Sequence, residues 1–169
     1  MRRILKTIDN INEQAGKLVR WLGPILVLVC LYGVIVRYVF NRPSIQAPVL
    51  MTMIGAAFAS LSWGYIYLHE GHVRIDILYS HFSPRGRAII NVISTLVFFF
   101  PVMGLLGYAA GWWMWYAWAT GESSKQTFWY PPLGPIRTIV FLGICLFILQ
   151  GLARFIRDLY LVLRNKPYD

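Results

Sequence analysis

From Ala47 to Leu68 the chain contains no Asp, Glu, Lys, Arg or His, and from Ala88 to Ala119 it again contains none. A helix crossing a hydrocarbon core of about 30 Å needs about 20 such residues, so each run is long enough to span. Between them lies one short polar stretch, His69-Glu70-Gly71-His72-Val73-Arg74-Ile75-Asp76-Ile77-Leu78, where two membrane helices must turn around. Composition agrees, because 57% hydrophobic and only 14% charged residues in a chain of 169 is too apolar for a soluble domain. The expected fold class is an all-α integral membrane protein with four transmembrane helices and an N-terminal amphipathic interfacial helix.

Residues 1–20 are expected to form the interfacial helix, and residues 21–169 the four-helix transmembrane domain with a basic tail. In the first segment Ile4, Ile8, Ile11, Ala15, Leu18 and Leu22 recur at spacings of three or four, while Lys6, Asp9, Glu13 and Lys17 take the other face. Such a helix lies along a membrane surface. No small-residue cleavage pattern follows closely, so this start is expected to be retained. Trp21 to Phe40 is the first span, with Arg37 one turn from its end, and the second runs from about Pro48 to Leu68. Ala56, Ser60 and Gly64, spaced at four, make one narrow face of small residues that permits close helix packing. Its partner is either a helix of another subunit or the Gly107 and Gly111 pair of the third span.

The third uncharged run has 32 residues. As a straight helix it would be about 48 Å long, so it must tilt, kink or leave the core early. Pro101 and Gly104 mark the expected kink, and Trp112, Trp113, Trp115, Tyr116 and Trp118 an aromatic belt at the far interface. Stacking on a ligand is the alternative for that cluster. After a proline-rich loop, Thr138 to Ala153 is the fourth span, with Arg137 and Arg154 expected to snorkel from its two ends.

The formal charge of +9 is best explained by topology, since no basic patch interleaves with aromatics as nucleic-acid binding would require. Twelve Lys and Arg fall in the N-terminal segment, the central hairpin and the tail, against Arg37, Arg42, Lys125 and Arg137 on the opposite side. Both termini are therefore expected in the cytoplasm. All seven acids lie outside the spans, so the chain lacks the polar interior that transport on its own would need. His69, His72 and His81 share one hairpin and cannot bracket a haem within the bundle. His69 and His72 with Glu70 and Asp76 make only a weak metal pattern, and Cys30 and Cys145 sit in apolar runs as packing residues. No nucleophile with a base, no phosphate-binding loop and no catalytic carboxylate pair is present, so neither an enzyme nor a resident cofactor is expected.

Arg37-Tyr38-Val39-Phe40-Asn41 closes the first span, and Gly71-His72-Val73-Arg74-Ile75-Asp76-Ile77-Leu78 follows the second. In that order and spacing, with Leu149-Gln150-Gly151-Leu152-Ala153 in the last span, the chain resembles the small membrane subunit, of DctQ type, of the tripartite ATP-independent periplasmic (TRAP) transporters. Arg37, Tyr38, Phe40, Gly71, His72, Arg74 and Asp76 carry the resemblance. It departs where many members place a tryptophan and an acidic pair at the start of the second span; here that place reads Ile45-Gln46-Ala47-Pro48. The resemblance implies a bacterial inner-membrane complex of three proteins. They are a periplasmic solute-binding protein that captures an organic acid or related anion, a large multi-span subunit driven by a sodium gradient, and this small accessory subunit. A structural helix-bundle subunit of another membrane complex is the alternative.

Overall fold

A computed structural model describes residues 2–69 and 84–164. Most of the central hairpin, including Gly71, His72, Arg74 and Asp76, lies outside the described residues. Among the described residues six α-helices follow one another: α1 (Arg2–Val19), α2 (Leu22–Tyr38), α3 (Ala47–Leu68), α4 (Pro84–Ser94), α5 (Phe100–Thr120) and α6 (Gly134–Arg164), with a π-helical turn, Thr95–Phe99, joining α4 to α5. Four helical stretches among the described residues are long and apolar enough to cross a membrane: Arg2–Tyr38, Ala47–Leu68, Arg85–Thr120 and Gly134–Arg164. The protein is an all-α membrane protein.

The central element is α6, which packs against α3 on one side and against α4, the π turn and α5 on the other, while α1 crosses α3 and α6 at one end. α2 leans on α3 and buries none of its own residues. Small residues set the closest approach. A Cβ on Gly143 of α6 would lie 2.6 Å from the backbone of Ser60, so the two helices touch main chain to main chain there. Ser60 is 2% exposed and Gly64 is buried against Asn12 and the Leu146 backbone, so the inner part of the small face is used inside this chain. Ala56 is exposed. Gly107 and Gly111 meet Ile148 and Phe141 of α6, which separates them from α3 and corrects the pairing expected within the chain. Towards the other end of that contact the rings of Tyr67, Phe99 and Phe147 fill the space, with centroids 5.1 to 5.9 Å apart.

The long third helix stays continuous from Arg85 to Thr120. Its irregularity precedes Pro101, whose ring leaves the Val97 carbonyl without its usual donor. The ladder adjusts by widening: the Phe100 N–H bonds Thr95 O, five residues back, and regular helix resumes at once. Gly104 lies within the regular helix that follows. The fourth span also differs from expectation. α6 has 31 residues, about 46 Å of helix, because Gly134 starts it before Arg137 and it continues through the basic residues after Ala153.

Candidate interaction sites

At one end of the bundle α1 turns a mixed stripe of apolar and polar residues inward. Leu5, Asn12 and Val19 are buried, with Asp9, Glu13 and Gly16 half-buried beside them, whereas Ile4, Ile11 and Leu18 of the apolar stripe are exposed. Asp9 and Glu13, expected on a solvent face, instead hold other helices. Arg157 of α6 donates through both terminal nitrogens to the Asp9 carboxylate, at 2.5 and 3.2 Å. Gln150 Nε2 donates to Asp9 Oδ1 at 2.9 Å, and Asn12 Nδ2 donates to Gln150 Oε1 at 2.9 Å and to Ile8 O at 3.1 Å. Gln150 is 2% exposed, and a buried amide is tolerated there because both of its ends are hydrogen-bonded.

A second tie joins α1 to the end of α3. His69 Nε2 lies 2.7 Å from Glu13 Oε2, and Lys17 Nζ lies 3.2 Å from Glu13 Oε1. Of the hairpin residues weighed as metal ligands only His69 is described, and among the described residues no group of three His, Cys, Asp or Glu side chains converges.

At the opposite end a loop is clasped between α5 and α6. Gly121 ends α5 with φ 62°, a left-handed conformation that suits glycine. Leu133 N–H donates to Glu122 O and Ser124 N–H to Pro131 O, so the loop doubles back on itself. Arg137 makes a two-pronged contact with Glu122, at 2.8 and 2.9 Å, and donates to Trp113 O at 3.1 Å. Arg137 is thus a loop anchor rather than a snorkelling end. Trp118 Nε1 donates to Thr138 Oγ1, while Trp112 and Trp115 of the expected belt stay exposed. Phe128 at the loop's tip is 86% exposed.

Arg37, Tyr38 and Phe40 lie exposed at the end of α2, with the Arg37 guanidinium over the Tyr38 ring. Asn41 follows at φ 54°, a conformation that Asn tolerates better than branched residues, and Arg42 N–H closes back onto Val36 O. Sequence reasoning missed Asp9, Asn12, Gln150 and Arg157 as one network. The signal was present in Asp9, Asn12, Glu13 and Gly16, which recur at helical spacing on one face.

The fold and these sites define a class first: a small helical membrane subunit whose polar side chains tie its own helices together, while broad apolar faces stay open. Residues 26–160 match the family described as tripartite ATP-independent periplasmic transporters, DctQ component. The chain belongs to that family, and it is the small membrane component of a TRAP transporter. No curated protein and no solved structure matches it.

Proposed function

We propose that this chain is the accessory small permease subunit of a sodium-coupled, binding-protein-dependent secondary transporter that imports an organic acid or related anion. In this reading it is a fixed scaffold for the large multi-span subunit, sits in the bacterial inner membrane with both termini cytoplasmic, and has a periplasmic solute-binding protein as its third partner. The family match over residues 26–160 carries the proposal.

Physical support comes from how the polar residues at depth are used. Ser60 bonds back to Ala56 O and Ala57 O on its own helix, and Gln150 is committed to α1, which suits a scaffold better than an ion path. The surface offered to the large subunit is α2 together with the exposed face of α3 formed by Thr52, Ala56, Ala59 and Trp63. Of the small residues expected at a partner, Ala56 alone lies on that outer face.

Reconstitution tests the reading. Proteoliposomes holding only this chain should accumulate no organic acid under a sodium gradient, and uptake should appear when the large subunit and binding protein are supplied. Sodium-driven uptake by the chain alone would overturn the scaffold role.

A further inference from the structure

Arg37, in the last turn of α2, is exposed, and among the described residues its guanidinium makes no hydrogen bond and no ion pair; it lies over the Tyr38 ring, 5.8 Å from the centroid. Arg42 is exposed too, and its N–H bonds Val36 O at 3.2 Å, so both arginines are rooted at the same helix end. No Asp or Glu occurs between Glu13 and Glu70, so α2, α3 and the turn joining them contain no countercharge. Glu122, in the loop between α5 and α6, is already taken by Arg137.

Below Arg37 runs a groove of about 310 Å³ between α2 and α3. Its wall descends α2 through Arg37, Val34 and Cys30, and α3 through Pro48 and Met51. Ser44 stands at its polar end; its Oγ accepts the Ala47 N–H at 3.1 Å, which leaves the hydroxyl hydrogen to donate. From Arg37 to Cys30 is about 10 Å along the helix, within the half-thickness of about 15 Å of a hydrocarbon core. Val34 is 47% exposed and Cys30 is exposed, so the groove is open along its side. Spread over that length, its volume gives a cross-section of about 30 Å², room for an acyl chain but not for a helix about 10 Å across.

We propose that this groove binds one anionic phospholipid, its phosphate on Arg37 and the Ser44 hydroxyl, its headgroup beside Arg42, and one acyl chain along Val34 and Cys30. A carboxylate from a partner helix would neutralise Arg37 but leave the narrow groove beneath it empty, whereas a lipid joins the anion and the chain in one molecule. The charge pattern selects the headgroup. Arg37 alone would take any phosphate, but a zwitterionic lipid brings its own cation to a helix end that already holds two and has no carboxylate to receive a third. A glycerol headgroup adds no cation, and its hydroxyls accept hydrogen bonds. The site needs only a bilayer around the chain, whatever complex the chain joins.

Native mass spectrometry of the full-length chain in detergent, with dioleoyl phosphatidylglycerol and dioleoyl phosphatidylethanolamine added in equal amounts, tests this. The wild-type chain should retain one phosphatidylglycerol in preference to phosphatidylethanolamine. Arg37→Gln should weaken phosphatidylglycerol about tenfold, the scale of one charge-assisted hydrogen bond. Arg20→Gln removes the same charge before the other end of α2 and should change nothing. Val34→Trp should fill the groove and release the lipid with both arginines in place. Arg37 and Val34 are both exposed, so these changes spare the packing of the chain. Equal retention of the two lipids, a loss as large in Arg20→Gln as in Arg37→Gln, or retention in Val34→Trp would mark unselective attraction to the basic surface and overturn the proposal. Release of the lipid when the large subunit is added would assign Arg37 to a carboxylate of that partner and overturn it as well.

Discussion

Asn12 is 1% exposed, and its Oδ1 accepts no hydrogen bond among the described residues because it lies against Gly64, where any side chain would sit. The amide cannot swing away, since its Nδ2 is held by Ile8 O and Gln150 Oε1. Gly64 therefore matters for its missing Cβ rather than for backbone freedom. Gly64→Ala should push Asn12 out, break its bond to Gln150 and cost about 1 to 3 kcal/mol, as overpacking of a tight contact does. Hydrogen exchange in detergent should show α1 losing protection while α5 keeps it. An unchanged α1 would mean that Asn12 contributes nothing to docking.

Helix faces carry the next distinction. The small residues of α3 look alike in sequence, yet Ser60 and Gly64 are buried against neighbouring helices while Ala56 and Ala59 are open. Ser60→Leu would insert a branched side chain where Gly143 already touches the Ser60 backbone, so it should destabilise the chain itself by about 1 to 3 kcal/mol. Ala56→Leu sits on the exposed face and should leave the isolated chain's thermal stability unchanged while reducing co-purification with the large subunit. If both variants fold and co-purify normally, α3 does not meet the partner. α6 shows how an element's length is decided: its 31 residues run past the uncharged segment because Arg157 finds Asp9 and Arg154 stacks on Tyr67.

For the molecule as a whole, the charge count predicts both termini on one side, and α1 packs against α3 and α6. Single cysteines replacing Ser44 and Ser123 should react with an impermeant thiol reagent added to intact cells. A cysteine replacing Arg85 should react only after permeabilisation. Labelling at position 85 from outside would invert the topology and place the Asp9 and Arg157 network in the periplasm.

Class and spans were legible in the residues, because uncharged runs of that length have no stable place outside a bilayer and a helix is the simplest structure that satisfies its own backbone there. The family was legible too, through Arg37-Tyr38-Val39-Phe40-Asn41 and the motif after the second span. Which face of each helix meets which neighbour was not. In water an apolar stripe points inward, but in a membrane apolar side chains face lipid and protein alike, so periodicity loses its meaning. α1 shows the consequence: its apolar Ile4, Ile11 and Leu18 face out, and its Asp9 and Asn12 turn in. Only the tertiary structure could decide that, since Gln150 and Arg157 lie some 140 residues further along the chain, and a buried polar group goes where its partner is.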